Sequence, residues 1–170
     1  LPDVTAVTPV LVSAGRGRFF VANRAHHADV GGITPGSMPP LSTSITDEGS
    51  CVHDLLLVRD GVLREDDARR AFAASRGVDE RIADLRAQAA ANSEGARLLR
   101  EMCEAHGPDV VEAYMGHVLD DGAAAMSEML RTLPPGPHVM EDALDDGTPL
   151  GVSISVEGGR AALDFAGTGP

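Results

Sequence analysis

Two adjacent histidines, His26 and His27, followed by Asp29 and the pair Gly31-Gly32, close an apolar run that begins at Phe19-Phe20-Val21. Imidazole nitrogens and a carboxylate are ligands for a divalent cation, and glycines let the backbone turn close to whatever is bound. His26, His27 and Asp29 are therefore the candidate catalytic residues. In an extended strand, neighbouring side chains point to opposite faces, so both imidazoles reach one ion only if the strand bends. A solvated strand end, or a hydrogen-bonded structural pair, is the competing reading of the same residues.

The elements around this cluster are legible from their patterning. Val4 to Val12 alternates loosely and is β-branched, Arg18 to His26 is a second apolar run, and Ser13-Ala14-Gly15-Arg16-Gly17 between them is turn material. This pattern predicts a β-hairpin. Antiparallel closure carries Asp3, at the entrance of the first strand, toward His26 and Asp29 at the exit of the second, which places Asp3 and the histidines in one site. Residues 31 to 50, rich in Gly, Pro, Ser and Thr, read as a long loop of the kind that is functional or disordered. Val52 to Val58 reads as a short strand before an Arg59-Asp60-Gly61 turn.

Beyond Gly32 the chain continues Ile33-Thr34-Pro35-Gly36-Ser37-Met38-Pro39-Pro40, and it opens Leu1-Pro2-Asp3-Val4-Thr5-Ala6-Val7-Thr8-Pro9-Val10. Together with Asp84-Leu85-Arg86-Ala87-Gln88-Ala89-Ala90-Ala91-Asn92, Gly95-Ala96-Arg97 and Asp164-Phe165-Ala166-Gly167-Thr168, these segments resemble the hydantoinase B/oxoprolinase family over essentially the whole chain. That family comprises the metal-site subunit or domain of N-methylhydantoinases, 5-oxoprolinases and the acetone and acetophenone carboxylases. Its metal motif includes His-Leu-Pro-Asp, of which this chain holds Leu1-Pro2-Asp3. The resemblance thus implies that Asp3, His26 and His27 are metal ligands, that a further histidine ligand precedes Leu1, and that the chain is an internal fragment of a larger hydantoinase B-like domain.

The resemblance also implies a divalent metal, manganese or zinc, and a division of labour. A hydantoinase A-type subunit or domain with an actin-like nucleotide fold uses ATP to phosphorylate a small cyclic amide or imide, and the B component opens the ring at its metal site. Phosphorylation of the carbonyl oxygen makes a better leaving group, and a metal lowers the pKa of a bound water. The chain itself has no GxxxxGK[ST] loop and no lysine, in keeping with a nucleotide site on the partner. Three other readings stand beside this one: an acetone or acetophenone carboxylase-type subunit, a stand-alone metal amidohydrolase, and a noncatalytic interface subunit. After Glu48-Gly49 many relatives continue with Arg, an aliphatic residue and two prolines, whereas this chain has Ser50-Cys51-Val52-His53-Asp54; His53 reads as a surface residue.

From Glu65 the pattern turns helical. Ile82, Leu85, Ala89, Asn92, Ala96, Leu99 and Cys103 advance in steps of three and four and so share one helical stripe within residues 79 to 105. Asn92, the polar member, reads as a buried hydrogen-bonding residue or a site-facing one. Gly107-Pro108 breaks the helix, Pro108 suits the first turn of the next, and Val111, Met115, Val118, Gly122, Ala125 and Met129 repeat the stripe. Two long helices joined by a tight break predict an antiparallel helical hairpin with Leu85, Ala89, Leu99, Val118 and Ala125 buried at the helix contact or against the sheet, and Met102, Met115, Met126 and Met129 as core filling. Leu133-Pro134-Pro135-Gly136 ends the helices, and Val139 to Leu144, Val152 to Val156 and Ala161 to Phe165 read as strands. Asp142, Asp145 and Asp146 lack the ligand spacing of a calcium loop and read as a solvated turn.

Strands, then helices, then strands predict an α+β fold. The regions are 1-60, strands and loop carrying the metal site; 65-133, helical; and 138-168, strands, all within a single partial domain. Composition agrees with a globular protein: 43% hydrophobic and 24% charged residues, with only 3% aromatic, so the core is aliphatic. A net charge of −12, with every basic residue a scattered Arg, argues against nucleic acid and anionic membrane as partners. Cys51 and Cys103 lack CxxC spacing and read as reduced thiols, and the absence of a long apolar run completes the expectation of a cytoplasmic protein without a membrane span.

Overall fold

Alternation of inward and outward side chains builds the first element pair. In the computed structural model, which describes residues 1–13 and 16–169, β1 (Asp3–Ser13) and β2 (Arg16–His26) form an antiparallel ribbon. Its register pairs Asp3 with His26, Thr5 with Arg24 and Val10 with Phe19. Ala14 and Gly15 of the expected turn lie outside the described residues. Along β2 the odd positions Phe19, Val21, Asn23 and Ala25 turn inward while Phe20, Ala22, Arg24 and His26 are exposed, as a pleat requires when one face is covered.

The cover is α3 (Val78–His106), which packs on both strands. Its buried positions are Arg81, Ile82, Leu85, Gln88, Asn92, Ala96, Leu99 and Cys103. This is the expected stripe with Gln88 in place of Ala89, which is only half-buried. Close approach is possible because Gly95 has no side chain: a Cβ there would stand 2.9 Å from Val21 Cγ1. Leu99→Ala, removing an 8% exposed side chain from this contact, is expected to destabilise the protein by about 2–5 kcal/mol, read as a lowered urea midpoint.

Between ribbon and helix the chain forms α1 (Ile45–Glu48), the short hairpin of β3 (Val58–Arg59) and β4 (Val62–Leu63), and α2 (Glu65–Ala71). The expected strand over Val52 to Val58 pairs only at its last residue, because Asp60 and Gly61 turn the chain back immediately and, among the described residues, no other strand pairs with residues 52–57. Val30, Ala68, Phe72, Ile82 and Leu85 form the buried cluster here, joined by Val4, Leu57, Leu63, Ala71 and Val78.

These elements constitute one compact unit, Leu1–Pro108; Asp109–Pro170 is a second. The second comprises α4 (Pro108–Arg131) and an antiparallel sheet of β5 (His138–Ala143), β6 (Pro149–Glu157) and β7 (Arg160–Asp164) in the order β5-β6-β7. The two long helices and their break at Gly107-Pro108 form as expected. Burial follows the expectation at Leu85 and Leu99 but not along α4 or at the methionines. Val118 is 69% exposed, Ala125 is exposed, and Met102, Met115, Met126 and Met129 are between 43% and 54% exposed. The stripe of α3 is covered by the β1–β2 ribbon, so its burial does not depend on a helical partner.

Candidate functional site

Register decides what the candidate residues meet. Because Asp3 and His26 are cross-strand partners at the last rung of the ribbon, and both lie on its outward face, their side chains touch: Asp3 Oδ1 is 3.0 Å from His26 Nδ1. Arg24, the outward residue one step along β2, donates from Nη2 and Nε to Asp3 Oδ2 at 2.8 and 3.1 Å. Arg24 first, and then His26, hold the Asp3 carboxyl below the ordinary carboxylate range. The guanidinium takes one oxygen and orients the other toward the imidazole. A cleft of about 350 Å³, lined in part by Asp3, Thr5, Val7, Ser50, Val52 and Asp54, opens beside the carboxylate. That is within the size range of small-molecule sites.

His27 goes the other way. It follows the end of β2, turns beneath the ribbon and is 1% exposed, stacked on Phe72 with ring centroids 6.0 Å apart. Its Nε2 is 2.9 Å from Gln88 Oε1, and among the described residues its Nδ1 has no hydrogen-bond partner, the Asp84 carboxylate standing 3.9 Å away. The adjacent histidines thus serve opposite faces, as strand geometry requires. His27 does not share the Asp3–His26 face.

Asp29 is 7% exposed and organises the loop that follows. One carboxylate oxygen accepts from the amides of Gly31 and Arg76 at 2.8 and 2.9 Å; the other accepts from the Gly36 amide at 3.0 Å and from Arg76 Nη1 at 2.8 Å. Burial pushes this carboxyl up, but the Arg76 amide and guanidinium and the Gly31 and Gly36 amides outweigh it and hold the pKa at about 2. Arg76 also donates to Thr34 O and Gly32 O. Ser37 Oγ accepts from the Val30 amide and donates to Gly31 O. Gly32 sits at φ +85°, and a Cβ there would stand 2.4 Å from Asp47 O, so the loop closes on α1 only with glycine. With its oxygens committed to four donors, Asp29 is a structural anchor for this loop.

Sequence reasoning passed over Gln88, Asn23 and Arg81. Gln88 Nε2 donates to Val4 O and Asn23 Oδ1, Asn23 Nδ2 donates to Asn92 Oδ1, and Asn92 Nδ2 donates to Ala6 O and Thr8 Oγ1. Asn92 is therefore a buried hydrogen-bonding residue that ties α3 to the ribbon. The signal that could have found Gln88 is spacing: it lies three residues after Leu85 and four before Asn92 on the same stripe. His53 is exposed, with Nε2 3.2 Å from Cys51 Sγ.

Among the described residues no group of three or more His, Cys, Asp and Glu side chains is arranged to hold a metal ion. The Asp3–His26 pair nonetheless fits as part of a donor set. Two ligands bonded at about 2.1 Å to one ion at near-right or tetrahedral angles lie roughly 3.0–3.4 Å apart, and an oxygen with a nitrogen suits zinc or manganese. No helix of the described residues is long and apolar enough to cross a membrane.

The α+β fold of this chain is shared with a solved enzyme structure. The crystal structure of an ATP-dependent caprolactamase from Pseudomonas jessenii superposes with a TM-score of 0.80 at 25% identity, over 95% of this chain and 29% of that one. The chain belongs to the Hydantoinase B/oxoprolinase family, whose sequence profile matches residues 1–170. It is 40% identical to the 5-oxoprolinase of Dictyostelium discoideum over 99% of its length, and 36% identical to 5-oxoprolinase 1 of Arabidopsis thaliana over 100%. It spans 14% and 16% of the lengths of those two proteins.

Proposed function

We propose that this chain carries part of the hydrolytic site of an ATP-coupled enzyme that opens a small cyclic amide or imide. The observation that carries the reading is the Asp3–His26 contact at 3.0 Å on the exposed end of the ribbon, beside a cleft, in a member of the Hydantoinase B/oxoprolinase family. Asp3 and His26 would hold a divalent ion, manganese or zinc, with further donors from residues outside these 170. When bound, the ion supplies Lewis acidity at the ribbon end. Arg24 orients the Asp3 carboxylate, and Asp29 braces the loop behind the histidines. ATP is used by a hydantoinase A-type subunit or domain, and the present residues form one portion of a hydantoinase B-like domain in a cytoplasmic enzyme.

The reading is tested by assaying the intact protein, with and without its A-type component, for ring opening of 5-oxoproline, hydantoin and caprolactam. Turnover of one of these is expected only with both components, ATP and a divalent metal. The 170-residue chain by itself is expected to be inert. ATP-independent hydrolysis by the B-type protein alone would replace this reading with a stand-alone amidohydrolase, and ATP-dependent incorporation of labelled bicarbonate would replace it with a carboxylase.

A further inference from the structure

We infer that Gln88 is a positioning residue for the Asp3–His26 pair, acting through the backbones of both strands. The inference rests on the reading of that pair as metal donors. Gln88 is 5% exposed, on the face of α3 that packs under the ribbon. Its Nε2 donates to Val4 O at 2.9 Å and to Asn23 Oδ1 at 2.7 Å, and its Oε1 faces His27 Nε2 at 2.9 Å. Val4 directly follows Asp3, and His27 directly follows His26. One carboxamide therefore links the two strands at the residue next to each donor, from the face opposite the site.

Donor and acceptor counting sets the direction of every bond in this clip. A backbone carbonyl only accepts, so the amide nitrogen of Gln88 must face Val4. That leaves Oε1 toward His27, and an oxygen acceptor requires His27 to donate from Nε2. The same side chain thus fixes the ring orientation of His27 and, through the adjoining peptide, the backbone from which His26 projects. The backbone bond from the His27 amide to Pro2 O, 2.8 Å, is a further tie across this end, and the side-chain bonds of Arg24 and His26 to Asp3 lie on the opposite, exposed face.

A positioning element is needed here for a physical reason. A two-stranded ribbon is marginal alone, and its terminal rung is the first to open. Asp3 and His26 are that rung. Asn92 holds the ribbon further in, at Ala6 and Thr8, and cannot restrain the end.

The test is titration of manganese into the metal-free intact protein, with free Mn²⁺ followed by its electron paramagnetic resonance signal, alongside thermal unfolding without metal. Gln88→Leu removes both halves of the clip and is expected to weaken Mn²⁺ binding about 10- to 100-fold, the range for partners that orient metal ligands. Leu99→Ala, a packing change on the same helix away from the ribbon end, is expected to lower the melting temperature with Mn²⁺ affinity within a few-fold of the parent. Gln88→Glu is isosteric and keeps an acceptor for His27 but cannot donate to Val4; it serves if the leucine variant fails to fold, with a several-fold loss expected. Parental Mn²⁺ affinity in the folded Gln88 variants, or affinity that merely tracks melting temperature across all three, would overturn the inference. Asp3→Ala and His26→Ala separate the two levels. If neither changes Mn²⁺ binding, the metal reading fails and the positioning role falls with it; if both abolish binding while the Gln88 variants do not, only the positioning role falls.

Discussion

In the intact enzyme supplied with its A-type component and ATP, His26→Ala is expected to lower turnover at least about 100-fold, since even residues that only orient metal ligands are worth 10- to 100-fold. The metal-free protein should unfold at an unchanged temperature. This combination follows from where the imidazole lies. Its side chain is 54% exposed, and among the described residues its hydrogen-bond partner is Asp3. Exposed substitutions away from a packed feature change stability by roughly 0.5 kcal/mol or less. The loss would therefore belong to the site. His27→Ala is expected to differ in kind: it removes a buried ring stacked on Phe72 and leaves Gln88 Oε1 without its donor, so it should lower the melting temperature as well. Turnover by His26→Ala close to that of the parent would remove His26 from the mechanism.

The second large effect concerns Asp29. Asp29→Ala strips the acceptors from three backbone amides and one guanidinium, in a loop that has no regular ladder to hold it. Breaking a buried ion pair costs about 3–5 kcal/mol; Arg76 is 41% exposed and can recover water, so about 3 kcal/mol is expected. Hydrogen exchange localises the effect: the Gly31, Gly36 and Arg76 amides should lose protection in the variant, while the β1–β2 ladder keeps it.

Proton linkage gives the same residue a pH signature. The folded carboxyl titrates at about 2 against 3.8 for an unperturbed one, so its pKa is depressed by folding. Its stabilisation, about 2 kcal/mol, is fully present above pH 3.8 and is lost as the pH falls through about 2. Asp29→Asn, which cannot titrate, should lack this component of acid unfolding. An acid transition in the asparagine variant as steep as in the parent would show that other carboxyls dominate.

Local pattern and tertiary contact contributed different parts of this molecule. Alternating residues from Val4 to Val12 and from Arg18 to His26, with turn residues between, are sufficient to bring Asp3 to the histidine end of the second strand; the irregular register near Leu11 decides that it pairs with His26. The same pleat separates His26 from His27. The three-four stripe and the Gly107-Pro108 break delimit the long helices, since both signals act within a few residues.

The sequence by itself therefore determined the α+β order of elements, the approach of Asp3 to the histidine end of the hairpin and the division of the two histidines between opposite faces; the Asp3–His26 register was decided by the folded ribbon. It did not determine which face would be covered. That depends on where α3 lies, and α3 begins some fifty residues after β2 ends. Asp29 has the residue type of a ligand, and only its contact with Arg76, 47 residues on, converts it into a loop anchor. Gln88 has stripe spacing but a polar side chain; it is buried because the polar backbone of Val4 and the ring of His27 meet it there. Helical spacing likewise marks Val118 and Met126 as apolar-face residues, yet both are exposed, because periodicity specifies a face and only a tertiary neighbour can bury it.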